Sequence, residues 1–196
     1  NLHIVLRQML DWAVRRDLVS RNPARLVSND ELPRVLKKQI TVFSPQQARD
    51  LIDASRGTES EALITLALST GARVGELMGL SWDKITFRED VHSNVVGGSV
   101  RIDSSLQYVD GEPKLFDPKT AAGRRTLELP TVAIPSLLRR REKQRVDAKR
   151  ARDGWKNEFN LVFTTGTGRP LNRNMVLRTY LRPLLAKSGL PGRTRF

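Results

Sequence analysis

The stretch Ser69-Thr70-Gly71-Ala72-Arg73-Val74-Gly75-Glu76-Leu77-Met78-Gly79-Leu80-Ser81-Trp82 decides how the rest of the chain is read. It follows an apolar segment, turns at Gly71 and opens a second helix with an arginine. Val74, Leu77, Met78 and Leu80 recur at helical spacing, so one side of that helix is expected to face a core. At about 100° per residue, Leu77 and Leu80 fall on either side of Arg73. The spacing therefore predicts a guanidinium within or beside the buried stripe. Arginine cannot shed its proton there, so it needs an anion. A cation at a helix start runs against the dipole preference, but a cation beside free backbone N–H groups suits a phosphate. Glu76 offers an ordinary alternative, since it is placed to pair with Arg73 as a helix-surface salt bridge.

Taken whole, the stretch resembles the first arginine motif of the tyrosine recombinase (phage integrase) family. Thr70-Gly71-Ala72-Arg73, then Gly75-Glu76-Leu77, Leu80 and Trp82, carry the resemblance. It implies that Arg73 binds a scissile DNA phosphate and that Glu76 is a supporting residue that helps hold the site.

Downstream, Ser99 to Ser105 alternates around Val100 and Ile102, and Arg125 to Leu129 alternates likewise, which predicts strands. Gly97-Gly98 and Asp110-Gly111 are expected at turns. A small antiparallel sheet results, with Lys119 near a hairpin end. Lys119-Thr120, Arg125 and Leu127-x-Leu129-Pro130 resemble the family's context for a catalytic hairpin lysine. A compact ammonium on a flexible stem suits proton donation to a leaving oxygen. Lys114 is the competing lysine and has no such context. Thr120 and Arg124 are expected to contact DNA.

Upstream, Leu2, Val5, Met9 and Trp12 follow the helical period, with Leu6 and Ala13 widening the stripe, and Asn22-Pro23 ends the segment. A lone amphipathic helix cannot bury its face alone, so residues 1 to about 23 are expected to belong to a domain whose rest lies upstream. Ala13-Val14-Arg15-Arg16, Leu18-Val19 and Asn22-Pro23-Ala24 resemble the last helix of the integrase core-binding domain. Residues 24 to about 43 lack periodicity and suit either an interdomain linker along DNA or a surface loop. Ser44 with Gln47 forms a capping box that opens a helix through Leu51 and Ile52. Glu59 to Ser69 is apolar nearly all round and is expected to be the buried central helix.

Beyond Pro130, residues 131 to 153 predict a helix whose second half carries Arg139, Arg140, Arg141, Lys143, Arg145, Lys149, Arg150 and Arg152. Such a run suits a solvated face more than a phosphate-contacting one. Leu161-Val162-Phe163 predicts a short buried strand. After a Gly-x-Pro-Leu loop, Asn172-Arg173-Asn174 opens a helix, with Arg173 a candidate phosphate contact. Tyr108 falls in the sheet region and Tyr180 on an apolar stripe, and neither suits a nucleophile. The chain stops at Arg193-Thr194-Arg195-Phe196, before the family's His-x-x-Arg box and nucleophilic tyrosine.

The 196 residues are 39% hydrophobic and 28% charged, which excludes a disordered chain. Lys and Arg outnumber Asp and Glu by 34 to 21, a net +13 that suits a polyanionic partner. There are no cysteines and only two histidines, His3 and His92, so disulfides, thiolate metal sites and histidine-based hydrolysis are disfavoured. No run approaches the roughly 18 apolar residues of a membrane helix.

These features predict a mainly helical α+β fold: an integrase-type catalytic domain with a small antiparallel sheet, preceded by the last helix of a helical core-binding domain. Residues 1–35 are assigned to that core-binding end and linker, and 36–196 to a catalytic domain incomplete at its C-terminus. The resemblance implies a site-specific DNA recombinase that cuts and rejoins strands through a 3′-phosphotyrosine. It needs no cofactor or metal. It acts on double-stranded DNA as a homotetramer when full length, in the bacterial cytoplasm at the nucleoid. The 196 residues alone are expected to be inactive. A non-catalytic basic DNA-binding module is the alternative.

Overall fold

The computed structural model describes residues 2–28, 30–32, 42–118 and 123–190. Two compact units divide the chain, Asn1–Ile40 and Thr41–Phe196. In the first, helix α1 (Leu2–Val14) buries none of its residues, and Leu2, Val5, Met9 and Trp12 are all exposed. It ends nearer its start than the sequence predicts. The chain then turns, with Asp17 at φ 54°, and Asn22 caps a short 3₁₀ turn at Pro23–Arg25. The Asn22 carbonyl oxygen accepts from the Ala24 N–H at 2.9 Å, and its amide donates to Arg7 O at 2.9 Å and Asp11 Oδ1 at 2.7 Å. This one side chain folds the exit back along α1.

The second unit starts with the expected capping box. Ser44 Oγ accepts from the Gln47 N–H, and Gln47 Oε1 accepts from the Ser44 N–H, satisfying donors that the first turn of α2 (Pro45–Ser55) leaves free. Helix α3 (Glu61–Thr70) is the buried centre, with every residue from Glu61 to Ala67 inside. It stops at Gly71, whose φ of 63° is a left-handed value that glycine adopts without a Cβ clash. The short α4 (Val74–Met78) follows.

The strands form two sheets where one was expected. β1 (Ile85–Glu89), β2 (Val95–Ile102) and β5 (Arg125–Glu128) make an antiparallel sheet in the order β1-β2-β5, and β3 (Ser105–Val109) pairs only with β4 (Glu112–Phe116). Asp110 and Gly111, both at positive φ, make the tight β3–β4 turn as predicted. Gly97 and Gly98 do not turn. They lie inside β2 opposite Arg88 and Phe87. A Cβ at Gly98 would collide with the Thr86 carbonyl oxygen, so this glycine permits close strand approach.

Helix α5 (Ile134–Ala151) packs on α3 through Ile134 and Leu137. Its charged half is not uniformly solvated. Arg140, Gln144 and Asp147, at helical spacing, are buried. Arg140 donates to Val162 O at 2.9 Å and Thr164 O at 2.6 Å. Gln144 donates to Leu161 O and Thr164 Oγ1 and accepts from Trp82 Nε1 at 2.7 Å. Leu161-Val162-Phe163 is fully buried, yet it is held by isolated bridges, Ser81 to Leu161 and Thr164 to Pro170, and not by a strand ladder. The last helical run is α6 (Arg173–Met175), a π-helical stretch (Val176–Leu181) and α7 (Arg182–Lys187). Among the described residues no helix is long and apolar enough to cross a membrane.

Candidate nucleic-acid interface

Arg73 is not tucked among leucines. It is the N-cap of α4, with extended backbone (φ −66°, ψ 151°), and its side chain is 81% exposed. A helical wheel drawn through Arg73 fails because helical dihedrals begin only at Val74. Leu80 lies past the end of α4, so it does not flank the arginine on one helix either. The ordinary pairing is present: Arg73 Nη1 donates to Glu76 Oε1 at 3.0 Å. The Arg73 backbone N–H also donates to Glu76 Oε2 at 2.9 Å, which is one half of a capping box.

Glu76 itself is buried and holds a second cation. Arg125, at the start of β5, donates through Nη2 to Oε2 at 2.8 Å and through Nη1 to Oε1 at 3.3 Å. Burial alone would push the Glu76 carboxyl up. The hydrogen bonds from Arg125 and from the amide and guanidinium of Arg73 outweigh it and hold the group below its ordinary value. The same fork raises Arg125, with Glu76 as the cause. The sequence places Arg125 in the context of Lys119 but assigns it no site role. Its coupling to Glu76 spans 49 positions, and no local spacing encodes that.

A cleft of about 690 Å³ opens beside this cluster. Arg73, Val74, Gly75 and Met78 form one wall, Ser105 to Tyr108 of β3 another, and Asn172, Arg173 and Asn174 a third. Arg73 and Arg173, proposed separately from the sequence, thus line the same hollow. Asn172 sets the third wall by capping α6, its side chain accepting from the Met175 N–H at 2.8 Å. The β3 wall has no signal in the sequence beyond its alternation. Arg124 donates instead to Asp117 at 2.8 Å in an exposed pair and is not on the cleft wall. Lys119 and Thr120 lie outside the described residues. The strands that flank them in the chain, β4 and β5, belong to different sheets, so they do not form a hairpin with each other.

Tyr108 stands on the cleft wall, but its hydroxyl donates to Pro170 O at 3.0 Å. Burial and the nearby Glu112 push its pKa up, away from what a nucleophile needs. Tyr180 packs half-buried against the core and is also raised, mainly by burial.

The phage integrase family matches residues 41–196 of the chain. A tyrosine recombinase XerC-like protein of Caldanaerobacter subterraneus subsp. tengcongensis is 28% identical over 98% of the chain and 50% of its own length. An integrase of Streptomyces ambofaciens is 31% identical over 96% of the chain and 47% of its own length. The chain thus spans about half the length of the curated relatives it matches. The fold is similar to that of the Tn1549 transposon integrase, solved in complex with circular intermediate DNA, with a TM-score of 0.72 at 18% identity over 95% of this chain and 57% of that one. The same integrase in complex with transposon right end DNA gives 0.72 at 19% identity, over 98% and 60%. The arginine turn, the mainly helical unit with its small antiparallel sheets and the matched span from 41 to 196 agree: the chain belongs to the phage integrase family.

Proposed function

We propose that the chain supplies the phosphate-holding part of a site-specific DNA recombinase, one that cleaves and rejoins strands through a 3′-phosphotyrosine. One observation carries this: two cations from distant parts of the unit, Arg73 and Arg173, line one open cleft, and Arg73 is exposed there. A guanidinium fork matches two phosphate oxygens. In the proposed reaction a tyrosine oxygen attacks the scissile phosphorus, negative charge grows on the nonbridging oxygens, and the 5′ oxygen leaves. Arg73 stabilises that charge as a preorganised donor. Lys119 gives its proton to the 5′ oxygen. Arg173, and with it Thr120 and Arg124, hold the duplex through its backbone.

Neither Tyr108 nor Tyr180 is suited to attack, one donating to a carbonyl and the other packed against the core. The 196 residues are therefore expected to bind DNA without cutting it. Residues 1–35 are assigned to the end of a core-binding domain. The working assembly is a homotetramer on double-stranded DNA in the bacterial cytoplasm.

The test uses the full-length protein on a suicide DNA substrate. Arg73→Ala should lower covalent complex by about 10²–10³, the usual cost of one preorganised donor, while duplex binding is weakened only by roughly tenfold. Unchanged cleavage removes Arg73 from the site. Lys119→Ala should lose cleavage and recover much of it on a substrate with a better 5′ leaving group. Failure to recover argues against proton donation.

A further inference from the structure

Arg125 is the more enclosed of the cluster's two cations, 28% exposed against 81% for Arg73, and it does not line the cleft. Its backbone sits opposite Ile102 in the three-stranded sheet, while its fork reaches Glu76 on α4. We propose that Arg125 is a positioning residue whose task is to make the Arg73 guanidinium exchangeable. It keeps Glu76 neutralised while Arg73 leaves that carboxylate for a DNA phosphate. This rests on the assignment of Arg73 as a phosphate ligand.

The cluster holds two guanidiniums and one carboxylate, so it offers a net single positive charge. Arg73 Nη1 donates to Glu76 Oε1. Within that pair alone the charges cancel, and a phosphate gains little from such a neutral partner. For Arg73 to turn to a phosphate, Glu76 must release it. A buried carboxylate resists losing its counter-ion, because an unpaired charge out of water is strongly unfavourable. Arg125 removes that resistance. It touches both Glu76 oxygens, so the carboxylate stays bidentately paired after Arg73 Nη1 departs. The Arg73 backbone N–H stays on Oε2, so only the side chain has to move and the turn at Gly71–Arg73 keeps its shape. Without Arg125, Glu76 has Arg73 as its one remaining guanidinium in the cluster and holds it.

The experiment measures Kd for a mixed-sequence DNA duplex at fixed salt by fluorescence anisotropy, using the full chain. Arg73→Ala is introduced into three backgrounds: unaltered, Arg125→Gln, and Arg125→Gln with Glu76→Gln. Thermal melts establish that each variant is folded, and the equally uncharged Arg125→Met replaces Arg125→Gln if the latter does not fold. In the unaltered chain Arg73→Ala should weaken binding roughly tenfold, the size of one charge-assisted contact. In Arg125→Gln the same substitution should cost less than about twofold, because Arg73 is already held by Glu76. In the double background the cost should return to roughly tenfold, since a neutral glutamine no longer retains the guanidinium. A loss of one remote positive charge would leave the Arg73→Ala cost equal in all three, and that result overturns the proposal. A reduced cost that Glu76→Gln does not restore overturns it too, and marks Arg125 as structural. No cost of Arg73→Ala in the unaltered chain overturns the phosphate assignment itself, and the exchange with it.

Discussion

Two arginines, Arg73 on the cleft and Arg140 inside α5, meet opposite fates although both sit in stretches that read as surface or site by charge alone. Arg73 is exposed and answers a carboxylate, in a cluster with charge left over. Arg140 is 7% exposed, and its fork closes on neutral oxygens, Val162 O, Thr164 O and Thr164 Oγ1. Burial pulls the Arg140 pKa down, against the pull of Tyr180, Glu59 and Asp147. An arginine that satisfies carbonyls from a loop with no ladder is a structural part. One that stands exposed on an open cleft with a shared counter-ion is accessible to a ligand.

The sharpest way to break this contrast is Arg140→Ala. It takes the Arg140 donor from the Thr164 carbonyl, leaves Val162 O with Gln144 alone, and opens a cavity. A loss of about 3 kcal/mol is expected, which for a chain of this size lowers the melting temperature by roughly 6–12 °C. Molecules that remain folded should bind duplex DNA as before. If DNA affinity falls while stability holds, Arg140 belongs with Arg73.

Gln144→Leu tests the same wall one turn along. Trp82 Nε1 loses its acceptor, while Val162 O keeps Arg140. About 2 kcal/mol should be lost, read by urea denaturation. A neutral result would mean that the leucine fills the space well enough to offset the missing bonds.

How far the sequence reaches can be judged from these residues. The Ser44–Gln47 box, the stop at Gly71 and the Asp110-Gly111 turn are local, so three or four residues suffice to specify each. The central α3 is legible because it is apolar on every side. What escaped is polar or nonlocal. Arg140, Gln144 and Asp147 share a buried face, but apolar periodicity does not register polar residues. Gly97-Gly98 has the composition of a turn, and only the partner strand reveals a close approach. Motifs single out Arg73, Glu76 and Arg173, and the structure puts Arg73 and Arg173 on one cleft with Glu76 paired to Arg73. Arg125's grip on Glu76 and the β3 wall exist only once the sheets are placed against α4.

The Glu76 cluster should also differ from Arg140 in its response to acid. The folded Glu76 carboxyl lies below its ordinary 4.5, so the unfolded chain takes up the proton more readily. The stability it contributes is complete above that ordinary value and is lost as pH falls through the lower, folded one. Comparing the unaltered chain with Glu76→Gln isolates this single proton, whose slope cannot exceed about 1.4 kcal/mol per pH unit. Identical acid profiles for the two would mean that Glu76 is not held ionised by its arginines.

The smallest effect belongs to the outer face of α5. Arg145 pairs with Glu142 at 2.7 Å, both 59% exposed, and the solvent that reaches them screens the attraction. Arg145→Ala should change stability by less than about 0.5 kcal/mol. It should also leave the salt dependence of duplex binding unchanged, because a solvated pair neutralises no phosphate. Each phosphate contact adds about 0.9 to that slope. A slope shallower by roughly one, with affinity reduced equally for every sequence, would therefore bring this face of α5 to the DNA and leave Arg140, one turn inward, as the only structural arginine of the pair.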